Sequence, residues 1–521
     1  MMKQKLDRYE MHKYWGKKPA NNLNQLINQY SNEGDTVLDP FAGYGVFCCE
    51  ALLLNRNVIS NDLNPIAVFI NNQLLSCDIN LDSLMNQWKI IKAELVPYIE
   101  SWYGFTVNNE NVLLLNILRD INDRPIKARY KSPKIKKIQE YTFTETETIE
   151  YLEFEKLQII SDWHPTDILI ENSRISAKPD MTVCDLFTKR TLACHARLLS
   201  LIEQYSSGNE KDLFKLAFTA NLANCSKLVP PIKSRGDMSQ GAWMTGFYVG
   251  ETYLENNVYT YFENRLKKAI QGKTDFLNNI QKQSFLTPKR HSSYSILQED
   301  AKKLSLKDEC VDYVFTDPPY GDAVPYFEQS IIWNSWLKLA PNYIDEIVIS
   351  DSKKRGKTND NFEKDIFEAF REIKRVLKPG KYFSLTYHSL SGLDWKAITN
   401  ACIKNGFDLV DYEWLVQKTF PPRQINRIKT IKGDVLVTLK KSTLPTYFME
   451  KDDGELNEFF ISKITDWLAQ ENLDTNSIFL KIMELVFRNK IIIKNIDVLK
   501  ILTDNFVLSK DNKTWTLHDK P

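Results

Sequence analysis

One stretch near the start restricts this chain most. Residues 36–40, Thr-Val-Leu-Asp-Pro, form a short apolar strand ending at Asp39. A glycine turn follows, then the helical run Gly-Val-Phe-Cys-Cys-Glu-Ala-Leu-Leu-Leu-Asn. Residues 57–61, Asn-Val-Ile-Ser-Asn, form a second strand that ends just before Asp62. A helix between two strands is the connection that parallel pairing requires. The pattern breaks off after about residue 75 and resumes with strands over 294–299, 311–316, 381–387, 407–413 and 434–440. Helical periodicity fills the gaps, most clearly over 362–377, which Lys378-Pro379-Gly380 should stop. The sum is a seven-stranded, doubly wound, Rossmann-like α/β sheet over 1–75 and 290–442, interrupted once by a long insertion.

The insertion, 76–289, reads as mixed α+β: helix over 80–103, irregular strands or hairpins over 105–170, and helix again over 185–285 around a glycine-containing loop at 235–250. The tail, 443–521, reads as a small, slightly acidic helical domain ending in the strand-like Lys-Thr-Trp-Thr-Leu, with a winged-helix-like outline. A chain of 521 residues calls for two or three such units. Net charge is +1, so positive charge for a polyanionic partner must be gathered locally. The first residues lack the apolar core of a signal peptide, and no apolar run approaches the ~20 residues of a membrane span, so the expected location is cytoplasmic with no membrane partner. Eight cysteines without a Cys-x-x-Cys pair point to neither a metal nor a disulfide framework.

Two clusters carry chemistry. In Asp39-Pro40-Phe41-Ala42-Gly43-Tyr44-Gly45, a glycine-rich turn after a parallel strand lets backbone approach a nucleotide-like ligand. Asp62, at the end of the next strand, can accept hydrogen bonds from two ribose hydroxyls. No third glycine stands where a pyrophosphate fingerprint needs one, which disfavours a dinucleotide. The second cluster, Asp317-Pro318-Pro319-Tyr320, directly follows the strand 311–316. Its carboxylate and proline carbonyl form a pair of hydrogen-bond acceptors on a turn that two prolines stiffen and strip of donors. Such a pair suits an exocyclic amine of a nucleobase, whose lone pair becomes available when both N–H groups are held toward sp³ geometry. Tyr320 offers a flat face to a base rotated out of a duplex.

These residues resemble motifs I, II and IV of the amino-group DNA methyltransferases. Gln298-Glu299-Asp300-Ala301 is similar to their motif III, and His12-Lys13-Tyr14-Trp15-Gly16-Lys17-Lys18-Pro19 to their motif X. The resemblance covers about 1–75 and 290–442; the stretches around 316–337 and 346–357 look like the prokaryotic adenine-specific branch with a large internal insertion. It implies S-adenosyl-L-methionine as cofactor, held by Trp15, Lys17, Asp39, Phe41, Gly43, Gly45, Asp62, Asp300 and Ala301. Trp15 and Lys17 would serve the methionine end, and an acidic residue of motif III the adenine amine. It implies methyl transfer to adenine N6 in double-stranded DNA, with Asp317, Pro318, Pro319 and Tyr320 catalytic. Asp rather than Ser opens the motif, which the family associates with adenine. N4-cytosine methylation, RNA guanine-N2 methylation and a non-catalytic DNA-binding subunit are the alternatives. The absence of a Pro-Cys dipeptide sets aside C5-cytosine chemistry. A restriction–modification or phage-defence setting, a separate restriction or defence subunit, and a homodimer are compatible with the family.

DNA contacts are expected on two basic stretches. Arg124, Lys127, Arg129, Lys131, Lys134, Lys136 and Lys137 run without an acidic residue between them, and their β-like spacing places many on one face. Lys353, Lys354 and Arg355, with Lys357, follow the second cluster on a glycine-containing loop suited to clamping phosphates. Lys227, Lys233 and Arg235 precede Trp243, Phe247 and Tyr248, for which core packing competes with filling the gap left by a displaced base.

Overall fold

The computed structural model describes residues 6–517 apart from 133, 135–136, 287–291, 388–392, 416–433, 445–446, 495 and 510–512. Its centre is a seven-stranded sheet built from β1 (Thr36–Asp39), β2 (Asn57–Asn61), β8 (Tyr294–Leu297), β9 (Val311–Thr316), β10 (Leu377–Tyr387), β11 (Phe407–Leu415) and β12 (Asp434–Lys441). The order is β11-β12-β10-β9-β1-β2-β8. Pairing is parallel except around β12, which runs antiparallel to both β10 and β11. The chain steps from β1 toward β2 and β8 on one side, and from β9 toward β10 on the other. The switch point therefore lies between β1 and β9, where an open α/β sheet leaves a crevice at its carboxyl edge.

Strand alternation sorts the apolar residues into two cores. Val37, Tyr313, Phe315 and Leu436 face one, whereas Leu38, Val314, Val435 and Val437 face the other. The first core continues without a break into the insertion, and the second into the C-terminal region. The second face is covered by α10 (Asn359–Val376), capped by Thr358 and buried along Phe362, Ile366, Ala369, Phe370, Ile373 and Val376. Lys378-Pro379-Gly380 ends this helix but lies within β10: the strand begins at Leu377, and its register against β9 shifts between Leu377 and Tyr382. Gly380, at φ +70°, supplies the left-handed residue of that irregularity.

The insertion starts after α3 (Pro65–Leu75) with α4 (Leu81–Tyr103) and a five-stranded antiparallel sheet of β3 (Gly104–Val107), β4 (Glu110–Asp120), β5 (Pro125–Lys131), β6 (Gln139–Thr142) and β7 (Thr252–Asn256). Part of the stretch expected as irregular strands is helix, α5 (Glu145–Leu157), because Thr144 and Glu147 make a reciprocal capping box. α6 (Lys189–Tyr205), α7 (Gly208–Leu222) and the 29-residue α8 (Val258–Leu286) complete it. A buried ionic quartet ties four of these elements. Arg119 reaches Glu155 at 2.6 Å and Glu255 at 2.7 Å, and Arg190 stands 3.4 and 3.7 Å from the same two carboxylates. The tail has helices Asp453–Leu468, Thr475–Arg488 and Val498–Asn505 with two short strand pairs, one of which contains Trp515. No helix among the described residues is long and apolar enough to cross a membrane.

Candidate active site

The turn after β1 is shaped by two glycines that no other residue could replace without strain. Gly43 (φ +52°) and Gly45 (φ +85°) are left-handed, and a Cβ on Gly45 would stand 2.0 Å from Asn71 Oδ1. Asn71, on α3, donates to the Gly43 carbonyl at 2.8 Å and accepts from the Ser60 hydroxyl at 2.9 Å, so the turn is held from beneath. Asp62 grips it from the side: one carboxylate oxygen accepts the Gly43 N–H (2.8 Å), the other the Asn64 N–H (2.9 Å). Each oxygen keeps a second lone pair for an incoming donor. Burial raises the Asp62 carboxyl to about 6, against these two backbone donors. Asp39 points inward, accepting from the Phe41 N–H (3.1 Å) and the Thr316 hydroxyl (3.0 Å); burial pushes it to about 8.

Trp15, Lys17, Asp39, Phe41, Gly43, Gly45, Asp62, Asp300 and Ala301 all line one cleft, and Asp317 and Pro319 line the same cleft. Trp15 packs its ring 5.1 Å from that of Trp333, and its buried indole N–H has no hydrogen-bond partner. Asp300 is half-buried, with a carboxyl raised by burial. Lys17 departs from expectation. Its ammonium donates to the Tyr9 and His12 carbonyls (2.8 and 2.6 Å) and lies over the Tyr44 ring, so it is already committed. Burial lowers it to about 7.

The neighbouring Lys18 takes the electrostatic role. It lies 3.0 Å from Asp317 Oδ2 and 2.8 Å from Asp434 Oδ2, and donates to the Tyr320 hydroxyl at 3.2 Å. Asp317 Oδ1 accepts from the Thr386 hydroxyl (2.6 Å) and from the Tyr320 hydroxyl. Burial raises the Asp317 carboxyl, Lys18 opposing, and raises Tyr320 further. Gly16, at φ +73°, brings the His12–Pro19 segment so close that a Cβ there would lie 3.2 Å from Asp317 Oδ2. Lys18, Thr386 and Asp434 were absent from the expected set. Thr386 lies near the end of β10, beside β9, and Asp434 opens β12, the strand beyond β10; a place at the sheet's carboxyl edge is the only signal by which they were findable. Tyr320 is tied to Asp317 through its hydroxyl.

The expected DNA-contacting residues divide. Arg355 is corrected: its side chain is 3% exposed and paired with Glu328 at 2.5 Å and with Glu346, a buried structural cation. Lys353 and Lys354 are exposed on the same loop. On β5 and beside it, Arg124 pairs with Glu145 (2.5 Å), Lys127 with Asp237 (3.4 Å) and Arg129 with Glu140 (2.9 Å), all on the surface, while Lys131 is exposed. Lys134 and Lys137 are described; Lys136 lies outside the described residues. Lys227 pairs with Asp123 at 2.8 Å, and Lys233 and Arg235 are exposed. Trp243 and Phe247 are buried in the core, whereas Tyr248 is exposed. No group of three or more metal-ligating side chains occurs among the described residues.

Comparison with known proteins gives three kinds of likeness. Residues 2–73 match a family model described as DNA methylase. A tRNA (guanine(37)-N(1))-methyltransferase of Pediculus humanus subsp. corporis is 30% identical over 109 residues, which are 21% of each chain. The chain thus spans about a fifth of the length of the curated relative it matches. Among solved structures, the rRNA methyltransferase aviRa from Streptomyces viridochromogenes aligns over 82% of this chain and 86% of its own, at 9% identity and a TM-score of 0.27. A putative DNA modification methylase from Thermus thermophilus aligns over 30% of this chain and 58% of its own, at 16% identity and a TM-score of 0.16.

Proposed function

We propose that this chain is an S-adenosyl-L-methionine-dependent DNA methyltransferase acting on an exocyclic amine, adenine N6 first and cytosine N4 as the alternative. The observation that carries the reading is the meeting of Asp317 and Pro319, from Asp317-Pro318-Pro319-Tyr320, with the glycine turn and Asp62 in one cleft at the sheet's switch point. The family match to residues 2–73, which contain the His12–Pro19 segment, the turn and Asp62, supports it. The cleft residues fit the cofactor: the glycine turn, Asp62 and Asp300 line one cleft, and the buried Trp15 N–H there lacks a partner. Asp62 would hold the ribose hydroxyls, and Asp300 with Ala301 the adenine. Bound there, the cofactor supplies an electrophilic methyl group on a sulfonium centre.

The chain's own residues prepare the amine. Asp317 and the proline carbonyl accept its two N–H bonds, which localises the nitrogen lone pair toward the methyl donor. A carboxylate has about four acceptor positions, and Lys18, Thr386 and Tyr320 occupy three. The amine takes the fourth, or takes the place of the Tyr320 hydroxyl, which frees that ring to stack on the base. Lys18 opposes the burial that raises the Asp317 carboxyl and so favours its ionised, acceptor-only form. DNA phosphates would meet Lys127, Arg129 and Lys131 of β5 and Lys353 and Lys354. Opening of the motif by Asp317 favours adenine, and a restriction–modification or phage-defence setting, with a separate nuclease subunit, suits such an enzyme.

Nucleoside mass spectrometry of plasmid DNA incubated with the protein and methyl-deuterated cofactor tests the reading. Labelled N6-methyladenine, lost in Asp317→Asn, is the expected result; labelled N4-methylcytosine keeps the mechanism and changes the base. Labelled RNA with unlabelled DNA would overturn it.

A further inference from the structure

A second cavity, of about 310 Å³, adjoins the cofactor cleft and shares Lys17 with it. At about 30 Å³ per water it has room for on the order of ten water molecules. The His12–Pro19 segment and its approach form one wall, the end of α7, the loop at Trp243 and Arg265 of α8 the other. The insertion and the catalytic sheet therefore meet around it. Nothing in the proposed methyl transfer uses this space.

Its lining is dominated by donors. Lys13, Lys17 and Arg265 face one carboxylate, that of Glu10. Arg265 makes no ion pair or hydrogen bond among the described residues, and Lys13 rests only on the Trp243 ring, 4.2 Å from its centroid. The three cations oppose one another. Burial lowers Lys13, with Arg265 contributing; burial lowers Lys17 to about 7, with Lys13 contributing and Glu10 opposing. Arg265 too is lowered by burial, with Glu10 opposing. His12 adds neither charge nor a free ring nitrogen. Burial takes it to about 3, and its two nitrogens engage Lys13 O (2.7 Å) and the Thr219 hydroxyl (3.1 Å). Tyr9 is likewise spent, on Glu50. The Trp333 indole N–H, in a side chain 1% exposed, has no acceptor. Arg265 and Lys13, neither paired with a carboxylate among the described residues, beside a void of this size call for an oxyanion.

We propose that this cavity binds a phosphate-class oxyanion, gripped by Arg265 and Lys13, with Lys17, whose N–H groups are held by two carbonyls, adding only its charge, and that the anion ties the insertion to the His12–Pro19 segment. The same chemistry has two sources, a free phosphate or phosphomonoester and a phosphate of the DNA backbone. The inference stands without the proposed methyl transfer, since it uses residues outside the Asp317–Tyr320 cluster.

Isothermal titration of the full chain at low ionic strength with inorganic phosphate, and with sulfate, tests it. One equivalent should bind, about tenfold more weakly in Arg265→Gln, with partial recovery in Arg265→Lys. Lys13→Gln, at the exposed mouth, gives an independent loss if Arg265→Gln fails to fold. Sulfate keeps its charge between pH 6 and pH 8, so its affinity should fall over that range as Lys17 loses its proton. Displacement of phosphate by a short DNA duplex would assign the site to the DNA backbone, and simultaneous binding of both to a free anion. No binding of either anion by the wild type up to roughly 10 mM, or equal affinity in the wild type and both glutamine variants, would overturn the proposal.

Discussion

Lys18→Met removes the cation between two buried carboxylates, and its cost can be worked from both ends. Lys18 stands 3.0 Å from Asp317 and 2.8 Å from Asp434, with no side chain of the three more than 16% exposed. Breaking a buried ion pair by deleting one partner costs about 3–5 kcal/mol, because the remaining charge is uncompensated. The variant has another route, which is to protonate one carboxyl. At pH 7, from an ordinary Asp value near 3.9, that costs about 4 kcal/mol at about 1.36 kcal/mol per pH unit. The two figures coincide, so the pair takes up a proton and the loss saturates near that value. The sign of the pH dependence follows. The variant's folded carboxyl titrates above its unfolded value, so it binds the proton more tightly when folded. The loss is then small near pH 4 and grows as the unfolded state deprotonates. Lys18 itself is raised in the folded protein, so its contribution is fully present below the unfolded lysine value and does not tilt this window. Urea unfolding followed by circular dichroism should show a difference of about 1.5 kcal/mol at pH 5 and about 4 kcal/mol at pH 7.5. A difference below about 1 kcal/mol at both, or one unchanged between them, would refute the argument that Lys18 holds two charged carboxylates.

The remaining expectations concern the turn, the cofactor cleft and the basic residues. Gly45→Ala places a Cβ on Asn71 at a left-handed φ, so strain and the lost Asn71 hydrogen bonds should together cost about 2–4 kcal/mol, read as a lowered urea midpoint. Nucleoside binding through Asp62 requires its carboxylate form. Its raised value of about 6 means that cofactor affinity, measured by calorimetry, should be level above pH 7 and fall toward pH 5; Asp62→Asn should remove that fall. Arg355→Gln should destabilise the fold by about 3–5 kcal/mol and leave the salt dependence of DNA binding unchanged. Replacing Lys127, Arg129 and Lys131 together by Gln should do the reverse, lowering the salt slope by up to about 0.9 for each phosphate no longer neutralised while thermal unfolding stays near the wild-type temperature.

What the sequence discloses here is what local pattern determines. The period-2 alternation of β1, β9 and β12 assigns Val37 and Leu38, or Tyr313 and Val314, to opposite cores, because a strand has only two faces. The glycines of the turn were legible because their conformation is a local demand, and Asp317 because Asp-Pro-Pro-Tyr follows a strand. The reversal of β12 was not, since strand direction depends on a partner and not on the strand's own residues. Nor was the place of Pro379-Gly380, which ends a helix and also bends the strand that starts before it.

The charged residues show the limit most clearly. Arg355 and Lys353 stand two positions apart in one basic run, yet one is buried between Glu328 and Glu346 and the other is exposed. Arg119 and Arg190 found Glu155 and Glu255 on distant elements. Lys17 and Lys18 are adjacent, and the one read as the cofactor's partner is spent on two carbonyls while the other holds the Asp317 carboxylate. A side chain's charge is set by its own chemistry, but where that charge is spent depends on which carboxylate the fold brings within about 4 Å, and at what burial. Around Arg265 the cavity gathers cations and, among the described residues, the single carboxylate of Glu10, which is why an anion from outside the chain is proposed there.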